Sequence, residues 1–185
     1  MNIDETKIIQ SVADFFGLGT VSSYFHLGGN ANKNFRVKAG KKHYVFKLLQ
    51  EHSEDDARAE VSYTTYVKEN GFSAVGFLKS DTGDSLFVGG GLTALAMPFL
   101  KGMKPIQNEE TLFIIGKTLA ELHTVPVGLK LPTRGSWLRP EYLPRAIEQI
   151  GQKFPDVDKF TAAYKLSNVS FEELPQTLIH GDVGP

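Results

Sequence analysis

Cysteine is absent from the 185-residue chain, which excludes disulfides, thiolate catalysis and zinc sites built on cysteine. That suits a reducing compartment. A charge excess is absent too. The 20 Lys and Arg against 21 Asp and Glu leave a formal net charge of −1, so there is no electrostatic case for a nucleic acid or an anionic membrane as partner. Nor is there a long apolar run. The longest, Leu92 to Leu100, is interrupted by Thr93 and Pro98 and is far too short to span a bilayer. The opening MNIDETKIIQ has no basic region followed by an apolar one, so no signal peptide is expected. The expectation is a soluble, cytoplasmic protein. What remains, 41% hydrophobic and 22% charged residues, supplies enough apolar surface for a packed core, in one large domain or two small ones.

Along the chain the apolar period changes twice. Asp4 can cap a helix whose Ile8, Ile9, Val12, Phe15 and Phe16 share one face before Gly17. Three extended runs follow, Val21 to Leu27, KNFRVKA and HYVFKLL, separated by Gly28-Gly29 and Gly40-Lys41, the pattern of an antiparallel meander. Ser53 with Asp56 forms a capping box for a helix ending near Gly71. Strands are expected at VGFLK, SLFV and LTALAM, the last stopping at Pro98. Beyond the segment PFLKGMKP the chain reads as mostly helical. Asn108 can cap a helix with Leu112, Ile115, Leu119 and Leu122 inward. Helices at Glu141 to Lys153 and Val157 to Asn168 then precede a last strand, TLI. The reading is α+β, with residues 1–100 as one lobe, 106–185 as the other, and a hinge at about 97–105.

Several residues carry chemistry. In YVFKLL, alternation puts Val45, Lys47 and Leu49 on one face and Tyr44, Phe46 and Leu48 on the other. Lys47 therefore interrupts an apolar face, and either snorkels to water at an edge or has a partner. Glu60, at the margin of the inward face of the next helix, tips the balance toward a partner. A strand lysine fixed by a helix glutamate orients an ammonium toward nucleotide phosphates. Gly28 and Gly29, with Asn32 close by, lie between two strands, where backbone amides can approach phosphate, although a hairpin turn needs glycines as well. LAMPFLKG is either a plain linker or the wall of a cleft. There the carbonyl of Met97 or the amide of Phe99 is a candidate partner for a nucleobase, because Pro98 has no N–H. His123 reads as a helix-end residue. Arg134, Trp137 and Arg139 form no constellation. His180 and Asp182, in LIHGD at the exit of the last strand, fit either a general base or an Asx turn.

Taken together these segments resemble the aminoglycoside phosphotransferase and choline kinase branch of the protein-kinase-like fold. YVFKLL resembles the strand of the nucleotide lysine, Glu60 its helix partner, GGNANKNF the loop over the phosphates, LAMPFLKG the interlobe hinge and IGKTLAELH the first helix of the larger lobe. LIHGD matches the family's H-G-D motif, which would make Asp182 the catalytic base, with His180 beside it. The resemblance implies ATP or another nucleoside triphosphate, Mg2+, and a small-molecule hydroxyl as substrate: an aminoglycoside, choline, homoserine, a fructosamine or a sugar-like metabolite. It also implies a metal-binding Asn five positions after the aspartate and a later Asp, both of which would lie beyond Pro185. On this reading the chain is a kinase interrupted in its catalytic loop, unable to turn over and prone to self-association through uncovered helical surface. The rival is a non-catalytic nucleotide-binding or scaffold protein.

Overall fold

A computed structural model describes residues 4–29, 32–50, 53–102, 106 and 108–126. All belong to one of the two compact units into which the chain divides. The helices expected at Glu141 and Val157, the TLI strand, His180 and Asp182 lie outside the described residues.

The first helix, α1 (Glu5–Phe15), starts where the Asp4 carboxylate accepts the Thr6 N–H. Three strands follow as an antiparallel meander: β1 (Val21–Gly28), β2 (Asn32–Ala39) and β3 (Lys42–Leu49). Helix α2 (Glu54–Glu69) opens with the expected capping box, Ser53 Oγ accepting the Asp56 N–H and the Asp56 carboxylate accepting the Ser53 N–H. Strands β4 (Phe87–Gly89) and β5 (Leu92–Pro98) complete a five-stranded antiparallel sheet in the order β1-β2-β3-β5-β4. Helix α3 (Glu109–His123) is capped by Asn108.

Three local expectations are corrected. VGFLK is not a strand: only Leu78 donates to β5, at the Ala96 carbonyl, and Ala74 N–H turns back to the Phe72 carbonyl. Around SLFV, pairing begins only at Phe87, because Asp84 and Ser80 close a tight loop first. In α3, Ile115, Leu119 and Leu122 are half-buried as expected, but Leu112 is 62% exposed and lies beside exposed Phe113 and Ile114.

The sheet is covered on both faces, which is why its central strand is apolar on both. On one face Ile9, Val12, Ala13 and Phe16 of α1 pack on Phe35, Val37, Phe46, Leu48, Ala94 and Ala96. Each large side chain fully buried there contributes about 1.5–3 kcal/mol. On the other face Ala57 and Val61 of α2 meet Leu49, Leu86, Leu95 and Phe77. This second cover is partial. It leaves the β1–β2 end of that face to polar side chains, and the site lies there.

Candidate functional site

Strand alternation places His43, Val45 and Lys47 of β3 on the α2 face, together with Asn32, Asn34, Arg36 and Lys38 of β2. Lys47 sits between Asn34 on β2 and Leu95 on β5. From there its Nζ donates to both carboxylate oxygens of Glu60, at 2.6 and 2.9 Å, with the two side chains 20% and 21% exposed. The structure thus joins the two residues that sequence alternation picked out. The ammonium and the carboxylate each relieve the other's desolvation, and one edge of the pair still reaches solvent.

The glycine turn is built to lie close to this pair. Gly28 and Gly29 have φ of 90° and 129°. A Cβ on Gly29 would fall 2.2 Å from the Asn32 carbonyl oxygen and 2.7 Å from Asn34 Nδ2. Glycine is required there by conformation and by space. Asn34 Nδ2 donates to the Gly28 carbonyl at 3.1 Å and ties the turn to β2. The sequence reading passed over Asn34, yet its signal was present, since Asn32, Asn34, Arg36 and Lys38 alternate with apolar residues from Phe35 onward.

Three buried side-chain atoms lack a hydrogen-bond partner among the described residues: Asn32 Oδ1, Arg36 Nε and His43 Nδ1. All three belong to residues on the Lys47 face. Buried polar atoms are nearly always satisfied, by protein or by ordered water, so their clustering singles this face out as the candidate site. The field there is positive. Desolvation, and then the charges of Arg36, Lys38 and Lys101, hold the His43 imidazole below its ordinary titration range.

The hinge segment needs one correction. The Phe99 amide is not free, since it donates to the His43 carbonyl at 3.1 Å. In an antiparallel ladder hydrogen-bonding residues alternate, so Met97, opposite Val45, faces β3 in the same sense. Ala96 faces away, its carbonyl accepting from Leu78. The alternation therefore turns the carbonyl of Pro98 outward and makes the amide of Leu100 the next outward donor. Among the described residues no group of three or more His, Asp or Glu side chains stands close enough to hold a metal ion. No helix among them is long and apolar enough to cross a membrane.

The model of a phosphotransferase enzyme family, APH, matches residues 25–185. The chain belongs to this phosphotransferase family. No curated protein matches it. Among solved structures, an amicoumacin kinase in complex with AMP-PNP, Ca2+ and Ami is similar at 17% identity and a TM-score of 0.69, over 97% of this chain and 58% of that one. A spectinomycin phosphotransferase in complex with ADP and spectinomycin is similar at 12% identity and a TM-score of 0.63, over 81% and 47%. A microcompartment-associated aminopropanol kinase is similar at 15% identity and a TM-score of 0.56, over 72% and 45%. These likenesses show the phosphotransferase's kinase-like α+β fold. The chain spans about half the length of the solved structures it matches.

Proposed function

We propose that this chain carries the nucleotide-binding part of a kinase that transfers phosphate from ATP to a hydroxyl of a small molecule. The observation that carries the reading is the Lys47–Glu60 pair on a sheet face that also bears all three orphaned polar atoms. Phosphoryl transfer is governed by positioning and charge stabilisation. Lys47, held by Glu60, draws the phosphates toward β3, and the Gly28–Gly29 turn closes over them. The purine edge hydrogen-bonds to the Pro98 carbonyl and the Leu100 amide, the outward groups of the hinge. Asp182 takes the proton of the acceptor hydroxyl. That oxygen forms the new bond to the γ-phosphorus, the bond from γ-phosphorus to the β–γ bridging oxygen breaks, and ADP leaves. Mg2+, as the family implies, would shield the phosphate charge.

The named neighbours act on amicoumacin, spectinomycin and aminopropanol, so amino sugars and amino alcohols are the acceptors to try first. The cytoplasm is the proposed location. Self-association is proposed through the exposed Leu112, Phe113 and Ile114, and sedimentation would detect it. Two measurements test the function. Calorimetry should show ATP binding that Lys47→Ala weakens far more than it weakens adenosine binding. A phosphotransfer assay over the acceptor panel, with Asp182→Asn as the blank, tests whether transfer accompanies binding. ATP binding without transfer to any acceptor would favour the non-catalytic nucleotide-binding reading.

A further inference from the structure

The nucleotide reading uses Lys47, Glu60 and the glycine turn, and it leaves Arg36 without a role. Phe25, Arg36, Val45 and Met97 are successive register partners across β1, β2, β3 and β5, so they form one row across the sheet. The adjoining row on the same face holds Asn34 and Lys47. Rows two residues apart along a strand are separated by roughly 7 Å, the span of a ribose between a base and its first phosphate. If Lys47 marks the phosphates, the Arg36 row lies at the distance of the base.

That row is shaped for a flat ring. Val45 and Met97 are half-buried and apolar, and Phe25 is 63% exposed. The Arg36 guanidinium carbon stands 4.4 Å from the centroid of the Phe99 ring. Arg36 makes no ion pair among the described residues, and its Nε is buried without a hydrogen-bond partner. An arginine placed for an internal salt bridge would have a carboxylate. This one has an aromatic face instead. A guanidinium plane that stacks on one ring can stack on another.

We propose that Arg36 is the nucleobase-stacking residue of this site. The guanidinium that rests on Phe99 receives the purine against its face, above the Val45–Met97 floor. Stacking engages the π-face, which every base has, and not the hydrogen-bonding edge. Arg36 therefore adds affinity for purine nucleotides without choosing between adenine and guanine. This rests on the nucleotide reading above, and the test separates the two.

The experiment is calorimetry on the full chain with adenosine, ATP, GTP and inorganic tripolyphosphate, for the wild type, Arg36→Met, Arg36→Lys and Lys47→Ala. Arg36→Met should weaken adenosine, ATP and GTP alike, by about three- to thirtyfold, and leave tripolyphosphate within twofold. Arg36→Lys keeps the charge, loses the plane and should fall between. Lys47→Ala should show the opposite pattern, losing tripolyphosphate and sparing adenosine. If Arg36→Met weakens tripolyphosphate as much as ATP, or leaves adenosine unchanged, Arg36 is a phosphate or structural residue and the proposal is overturned. If Arg36→Met does not fold, Arg36→Lys decides: adenosine binding equal to wild type overturns the proposal. Lys47→Ala sparing ATP while Arg36→Met weakens adenosine would reject the phosphate role of Lys47 and keep the stacking role. A wild type that binds none of the probes rejects both.

Discussion

Asn34 on β2 lies directly opposite Lys47 on β3, so the side chain that ties the glycine turn is the register neighbour of the ammonium that Glu60 holds. Turn, lysine and helix are thereby linked through one rung of the ladder. A slip of one residue would send Asn34 and Lys47 to the α1 face. The buried Phe35, Val37, Phe46 and Leu48 forbid that slip, so the α1-side core fixes the geometry of the opposite face.

The first prediction concerns that rung. Removing the Glu60 carboxylate leaves the ammonium of a mostly buried Lys47 side chain without its partner, which costs about 1–3 kcal/mol. Glu60→Gln should lower the stability measured in urea and weaken ATP binding, and Lys47→Met combined with it should recover part of the stability. A double mutant no more stable than Glu60→Gln would show that the pair is not coupled.

A second prediction follows from the turn. At Gly29 a side chain meets the Asn32 carbonyl oxygen at 2.2 Å, with φ at 129°. Gly29→Ala should cost about 1–3 kcal/mol in backbone strain. On the proposed reading, in which the turn closes over the phosphates, it should weaken ATP and tripolyphosphate more than adenosine. Gly19 also has a positive φ, but nothing lies within 4 Å of its Cβ position. Gly19→Ala is therefore the control for conformational strain without crowding, and it should leave tripolyphosphate binding unchanged.

The third prediction is a pH dependence. Burial first, and then Arg36, Lys38 and Lys101, lower the folded-state pKa of His43. An unfolded histidine titrates near roughly 6.5. Between the folded pKa and that value the unfolded chain binds more protons, so stability rises with pH through this window and is lost as pH falls through it. His43→Gln removes the titrating group. Melting temperatures of the variant should fall less steeply than those of the wild type below pH ~6.5; parallel curves would exclude His43 as the source.

Much of this was legible in the sequence because alternation is a local signal. The meander, the capping box at Ser53 and the Lys47–Glu60 pair each follow from residue types at short spacing, and each is present. What was missed depends on partners remote in the chain. VGFLK has strand composition, yet only Leu78 bonds to β5, and no local pattern shows whether an edge will be paired. The parity of the hinge was set by His43, 56 positions before Phe99, so the sequence suggested the Phe99 amide where the ladder leaves Leu100. Arg36 carries no signal of its own in the sequence, because only the register puts it in one row with Val45 and Met97.

The last prediction concerns how Glu60 is kept in reach of Lys47. Helix α2 is fastened near both ends by residues far away in sequence. Near its start Arg58 bonds Glu54 at 2.8 Å and reaches Asp84 at 3.3 Å. Near its end the Tyr66 hydroxyl donates to the Pro126 carbonyl at 2.6 Å, just past α3. Glu60 lies between these two fastenings. Rotation of α2 about its own axis by one residue would swing Glu60 about 100° away from Lys47, given 3.6 residues per turn. The Tyr66 bond opposes that rotation and ties the helix to the segment that follows the hinge. A single exposed hydrogen bond contributes only about 0.5–1.5 kcal/mol, so Tyr66→Phe should shift global stability little. Its effect should be local: faster amide hydrogen exchange in α2, and ATP affinity reduced a few-fold with adenosine affinity unchanged. Arg58→Gln should speed exchange at the opposite end of the helix. Tyr66→Phe leaving both exchange and ATP affinity as in the wild type would mean that Ala57, Val61 and Val67, packed beneath the helix, hold Glu60 without help from the tether.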